Sequence, residues 1–227
     1  MSCGFKSRSS YSLFLMMEEE NVRTGTLERV DLFYLPMFLY NNVLADEQCE
    51  ALLDFCKEQE YQSSVGESKQ FTAISTDNDV ISKIPDMREF FEKLVDDISY
   101  QVMKQQPQAF TIQNSWCTKT EKGQSSMPHV HKNYYMSGIL YLQDNCSLEL
   151  HNPLWDKNNY VFDVTELTPY TCYTSLVNPP KGSFLLMPAW MYHGIPRWEG
   201  DDPRYSIAMN IHPTGEYGLQ TSKMCVK

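Results

Sequence analysis

Downstream of Pro107 the chain changes from helical to strand-like patterning, and this switch constrains the fold more than any other feature. Phe110, Ile112, Asn114 and Trp116 alternate with Thr111, Gln113, Ser115 and Cys117. Further short runs follow at Ile139–Gln143, Leu148–His151, Ser183–Met187 and Tyr205–His212. Turn chemistry separates them: Lys122-Gly123, Asp144-Asn145, Asn152-Pro153, Pro179-Pro180-Lys181-Gly182 and Gly200-Asp201-Asp202-Pro203. Upstream the spacing predicts two helices. Asp46–Glu58 places Cys49, Leu52, Leu53 and Cys56 on one stripe, with Asp46 as N-cap. Pro85 opens the second, with Met87, Phe90, Phe91, Leu94, Ile98 and Val102 along one face and Gln105-Gln106-Pro107 as its stop. Val30–Tyr40, aromatic with one proline, reads as an edge strand. Two helices followed by many short strands predict an α+β chain built on a jelly roll. Helices within 46–105 and a core of about 108–213 then form one domain, residues 29–227, after an N-terminal tail, residues 1–28, expected to be flexible.

Composition narrows the function classes. Of 227 residues, 42% are hydrophobic and 13% aromatic, enough for a substantial core. Lys and Arg number 19 against 29 Asp and Glu, a net charge of −10. That balance disfavours duplex nucleic acid, whose non-specific binding needs many cations to displace phosphate counterions. The longest apolar run, Leu32–Tyr40, is broken by Pro36 and too short to span a bilayer. Seven cysteines without a Cys-x-x-Cys pair argue against a zinc knuckle or a disulfide framework, and suit free thiols in a cytoplasmic protein. Lys6 and Arg8 before Tyr11–Met17 resemble a miniature signal peptide, but no small-residue cleavage site follows and Glu18-Glu19-Glu20 come directly after. A translation start at Met16 or Met17 fits at least as well. A chain beginning at Met17 is therefore expected to melt at an unchanged temperature; a loss of several degrees would show that Tyr11–Met17 docks on the fold.

Five histidines, 129, 131, 151, 193 and 212, are the candidates for chemistry. His129 and His131 lie in Met127-Pro-His-Val-His-Lys-Asn133. On a strand, residues i and i+2 share a face, so both imidazoles reach one point. His193 follows much later in Phe184-Leu-Leu-Met-Pro-Ala-Trp-Met-Tyr-His-Gly194, and a jelly roll returns the chain to bring it near. Three ligands on one face leave positions open, as in non-haem Fe(II) oxygenases. The bland alternative is a set of satisfied surface or core histidines. Arg204 adds weight to the metal reading. In Arg204-Tyr-Ser-Ile-Ala-Met-Asn210, period 2 puts Arg204, Ser206, Ala208 and Asn210 on one face and Tyr205, Ile207, Met209 and Ile211 on the other. Arginine followed by serine among small side chains suits a carboxylate. A surface arginine paired with an acid would leave the small-residue face unexplained.

The run His129-Val-His-Lys-Asn-Tyr-Tyr-Met-Ser-Gly-Ile-Leu-Tyr-Leu142 resembles the His-x-His-x-Asn…Ser-Gly-Val-x-Tyr segment of 2-oxoglutarate/Fe(II)-dependent oxygenases of phage and bacterial type. Gly182–Trp190, His193-Gly194, Arg204–Asn210 and Gly215-Glu-Tyr-Gly218 are similar to the distal half of that family, in the same order over roughly residues 112–218. The resemblance implies a double-stranded β-helix of cupin-like form, Fe(II) on His129, His131 and His193, and 2-oxoglutarate as cosubstrate with its C5 carboxylate on Arg204 and Ser206. It also implies that O2 is consumed, that succinate and CO2 are released, and that an unidentified substrate, a small molecule or a protein side chain, is hydroxylated. Tyr141 is a candidate to hydrogen-bond the cosubstrate or else a core aromatic; Asn133 either orients a ligand or ends its strand. One residue departs from the wider superfamily, which carries His-x-Asp/Glu where this chain has His131, so Glu149 stands as a substitute carboxylate. Two other readings stay open. One is a three-histidine cupin-type dioxygenase that does not use 2-oxoglutarate, in which Arg204 and Ser206 have no task. The other is a non-enzymatic jelly-roll binding module, separated by metal stoichiometry.

Overall fold

The structure, a computed structural model, describes residues 10–13, 25–28, 35–105, 108–155, 163, 165–168 and 171–226, and forms two units, Met1–Pro36 and Met37–Lys227. In the first, β1 (Ser10–Leu13) pairs antiparallel with β2 (Gly25–Glu28). These two strands are the described part of the segment expected to be a tail. Residues 30–34 of the expected edge strand, and the Gln106-Pro107 helix stop, lie outside the described residues.

The second unit contains β3 (Phe38–Tyr40), α1 (Asp46–Lys57), β4 (Tyr61–Ser63), β5 (Ala73–Ser75), α2 (Met87–Asp97), β6 (Ala109–Thr120), β7 (Met136–Tyr141), β8 (Leu148–His151), β9 (Thr174–Val177), β10 (Phe184–Pro188), β11 (His193–Gly194), β12 (Arg204–Tyr217) and β13 (Met224–Val226). The larger sheet runs β3-β10-β7-β12-β6-β5-β4, with β13 beside the far end of β12; the smaller runs β11-β8-β9. This is the expected α+β double-stranded β-helix. No helix among the described residues is long and apolar enough to cross a membrane.

Alternation along the central strands builds two cores. On one face, Leu140, Phe184, Leu186, Ile207 and Met209 join Cys49, Leu52 and Cys56 of α1 and Phe91 and Val95 of α2. On the other, Ile139, Tyr141, Leu185 and Met187 join Leu148 and Leu150 of β8. The helices therefore cover the outside of the large sheet, and the small sheet closes over its inside. Gly138 sits where β7 crosses under Phe184: a Cβ there would lie 2.6 Å from the ring. Gly138→Ala is expected to overpack this layer and cost about 1–3 kcal/mol, read as a lowered melting temperature. An unchanged melting point would mean that Phe184 yields freely.

Three sequence expectations need correction. The N-cap of α1 is Ala45, not Asp46; its extended backbone precedes the helix, and its N–H donates to Gln48 Oε1 at 2.9 Å. On α2 the buried stripe is Phe91, Val95 and Ile98, whereas Phe90 and Val102 are 45% and 58% exposed. A π-turn at Ile98–Val102 inserts one residue per turn and rotates Val102 outwards. On β6, Asn210 faces Asn114 but Ile211 faces Ile112, which leaves Gln113 as a bulge. The bulge inverts the alternation, so Phe110 and Ile112 share the helix-side core with Cys117 while Trp116 and Thr118 turn to the inside.

Candidate active site

A cavity of about 380 Å³ runs into the inside of the fold. Its inner wall is Arg204, Ser206 and Ala208 of β12, Ser137 and Ile139 of β7, Thr118 of β6 and Leu148 of β8; nearer the opening lie Trp116, His129, His131 and His193. The face of small residues read from the sequence of β12 thus supplies the cavity floor.

The three histidines converge, although not by the route expected. His129 and His131 do not sit on a regular strand. Pro128 lacks an N–H for a ladder, and Asn133, at φ 73°, turns the chain back before β7. Instead a single antiparallel bridge joins His129 to His193, each backbone N–H donating to the other's carbonyl at 2.8 and 3.0 Å. The His131 N–H donates to Ala189 O at 2.8 Å. These bonds bring one nitrogen of each imidazole within 4.8 Å of the others. The Nδ1 atoms of His129 and His193 lie 2.8 and 2.7 Å from the carbonyls of Met127 and Met191, so Nδ1 carries the proton and Nε2 presents its lone pair. His131 Nε2 lies 3.3 Å from His193 Nε2, and the rings stack at 9°. A hydrogen bond from His131 Nε2–H or a shared metal ion accounts for that separation, since two imidazoles on one metal at ligand distances near 2 Å stand about 3 Å apart. Burial holds His193 down to about 3, opposed by its bond to Met191, and burial with nearby His129 holds His131 down to about 4. Both rings are neutral at pH 7, the state that ligates a metal.

Arg204 is 1% exposed. One guanidinium N–H donates to Ser147 O at 2.8 Å, its Nε has no partner, and no carboxylate among the described residues lies within ion-pair distance. The guanidinium carbon lies 5.9 Å from the Tyr141 ring centre, a cation–π distance. The Tyr141 hydroxyl is also unpartnered, and burial pushes its phenol up. Ser206 Oγ and Thr118 Oγ1 share a hydrogen bond of 2.6 Å. Buried charge of this kind is costly without a counter-ion, so the donor set fits an anion that enters from solution.

Two expected residues are not brought to the cluster. Asn133 is exposed in its left-handed turn and does not line the cavity. Glu149 points to the opposite face of β8 from Leu148, with its carboxylate 3.0 Å from His151 Nε2. Trp116, one of four tryptophans with Trp155, Trp190 and Trp198 that the sequence offers either to a ligand groove or to the core, lines the cavity, whereas Thr118 carries no such signal. Trp116 stacks on His131 with ring centres 5.8 Å apart, but strict alternation from Phe110 would have placed it against the helices.

Residues 114–210 match the family described as "Putative 2OG-Fe(II) oxygenase". Over that stretch the chain is similar to 2OG-Fe(II) oxygenases. The match begins on β6 just past the bulge and ends on β12, so it spans every strand that lines the inner cavity. Solved structures share the fold. HygX from Streptomyces hygroscopicus, with nickel, 2-oxoglutarate and hygromycin B bound, is 14% identical over 79% of this chain and 84% of its own, at a TM-score of 0.55. A Pseudomonas putida prolyl-4-hydroxylase is 13% identical over 78% and 93%, at 0.54. The carbocyclase SnoK from nogalamycin biosynthesis is 12% identical over 83% and 85%, at 0.58. No curated protein matches by sequence. Fe(II), 2-oxoglutarate and O2 are the cofactor and cosubstrates of this oxygenase class, and this chain presents a histidine cluster and a buried guanidinium in one cavity.

Proposed function

We propose that His129, His131 and His193 hold Fe(II) through their Nε2 atoms, that Arg204 and Ser206 receive the C5 carboxylate of 2-oxoglutarate, and that an organic substrate, a small molecule or a protein side chain, is hydroxylated at the cavity mouth. The observation that carries this reading is Arg204, a buried guanidinium with no acidic partner among the described residues, lining the same cavity as the histidines. When bound, the iron activates O2 in a reaction that converts 2-oxoglutarate to succinate and CO2 and oxidises the substrate.

The chain's own residues fix geometry. The carbonyls of Met127 and Met191 hold the proton on Nδ1 of His129 and His193, which aims Nε2 at one centre. Trp116, stacked on His131, restrains the third ring. Arg204 offers a planar fork to a carboxylate, and Thr118 orients the Ser206 hydroxyl. The unpartnered Tyr141 hydroxyl is a further donor toward the cosubstrate. Because His131 stands where a carboxylate is common, the ligand set is neutral, and the cation keeps one more positive charge to draw in an anionic chelator. A three-histidine centre without 2-oxoglutarate would leave Arg204 buried with nothing to bind, so the cosubstrate reading is preferred. The buried free thiols of Cys49, Cys56, Cys117 and Cys146 suit a reducing cytoplasm.

The test is 2-oxoglutarate titration into Fe(II)-loaded protein without oxygen. A visible charge-transfer band saturating at one equivalent is expected. Iron binding with no band on addition of 2-oxoglutarate would favour the cosubstrate-free reading.

A further inference from the structure

The cavity has an inner end and an outer end of different chemistry. Its inner end holds its one arginine, Arg204, and its middle holds the three histidines. Beyond them the wall is Val65, Ile74, Trp116, Met127 and Ile195. Val65 and Met127 are 38% and 53% exposed, and so mark the opening. Among the described residues, no Asp, Glu or Lys lines the cavity at any depth. This is unexpected on a surface that carries 29 acids in the whole chain. The mouth hydroxyls are few and partly occupied: Thr72 Oγ1 bonds Thr120 Oγ1 at 3.0 Å, and Ser126 Oγ accepts the Ile195 N–H at 2.6 Å.

We infer that the substrate presents an uncharged, predominantly apolar group to the iron, gripped at the opening by Val65 and Met127, and not an ammonium, guanidinium or carboxylate. This rests on the oxygenase reading for the word substrate, but the selectivity follows from the wall alone. A cation entering would leave water for apolar carbon with no carboxylate among the described lining residues to meet it; Arg204 repels it, and in the metal-loaded site the histidine lone pairs are already taken. A second anion beyond 2-oxoglutarate would find the guanidinium already engaged. An aliphatic or aromatic group loses only its hydration and gains contact with Val65, Met127 and Ile195. Ser64, exposed at the rim, leaves room for one neutral hydroxyl or amide.

Three matched probes test this: the N-acetyl methylamides of leucine, lysine and glutamate, which differ in side-chain charge. Their binding is measured by ligand-observed NMR on the metal-free chain and on anaerobic protein loaded with Fe(II) and 2-oxoglutarate. The leucine probe is expected to bind at least tenfold tighter than either charged probe to the loaded protein, where the metal takes up the histidine lone pairs and 2-oxoglutarate the guanidinium. Val65→Asp should weaken the leucine probe about tenfold and bring the lysine probe level with it, and Met127→Glu, at a more exposed position, should do the same if the first variant folds poorly. Neither substitution should change the 2-oxoglutarate titration. Equal or tighter binding of a charged probe to the loaded protein, undetectable binding of the leucine probe, or indifference to both substitutions would overturn the inference. Failure of 2-oxoglutarate to bind, with the leucine probe still held by the metal-free chain and released by Val65→Asp, would instead count against the oxygenase reading.

Discussion

Arg204→Ala is expected to weaken 2-oxoglutarate binding by ~30- to 1,000-fold, the loss of about 2–4 kcal/mol that follows from removing a buried charged hydrogen-bond donor, while leaving iron affinity unchanged. Arg204 lines the floor beside Ser206 and Ala208 and does not belong to the histidine cluster. Arg204→Lys keeps the charge but loses the fork, so a loss of about tenfold is expected. Arg204→Met fills similar space without charge, and gives a second signature. Removing a buried guanidinium that has no acidic partner should raise the melting temperature of ligand-free protein while abolishing the rise that 2-oxoglutarate produces in the parent. Anaerobic titration and thermal melts read both effects. Wild-type 2-oxoglutarate affinity in the alanine variant would remove Arg204 from the site.

The second large effect is on the metal. His193 is 4% exposed, its Nδ1 is tied to Met191, and its backbone exchanges both hydrogen bonds with His129. His193→Ala is expected to lower Fe(II) or Ni(II) affinity by at least 100-fold and to lose 2-oxoglutarate chelation with it. The backbone bridge to His129 does not depend on the side chain, so the fold should persist. The triple alanine variant at 129, 131 and 193 should bind no stoichiometric metal by equilibrium dialysis. Full metal binding there would place the ion elsewhere.

The legibility of the sequence varied with the range of the forces involved. Alternation on β12 placed Arg204, Ser206 and Ala208 on one face and Ile207 and Met209 on the other, as observed, because both faces are buried and any slip would put Arg204 into the helix-side core. The α1 stripe was legible for the same reason. Where one extra residue enters, the pattern fails. The Gln113 bulge hid the inward turn of Trp116 and Thr118, and its backbone need is met from afar: the Ile112 N–H donates to Glu92 of α2 at 2.9 Å. The convergence of His129 with His131 was anticipated, but its cause was not. Two backbone bonds to a residue 62 positions from His131 are tertiary facts that local spacing does not carry.

Turnover is read from succinate formed from 2-oxoglutarate by purified protein with Fe(II), ascorbate and O2, alongside Arg204→Ala and His193→Ala. The predicted result is slow succinate production by the parent without added substrate, dependent on both iron and oxygen, accelerated by a neutral apolar substrate and lost in both variants. Iron-loaded parent protein that binds one equivalent of metal yet forms no succinate under any substrate pool, or variants that form it as fast as the parent, would contradict the account.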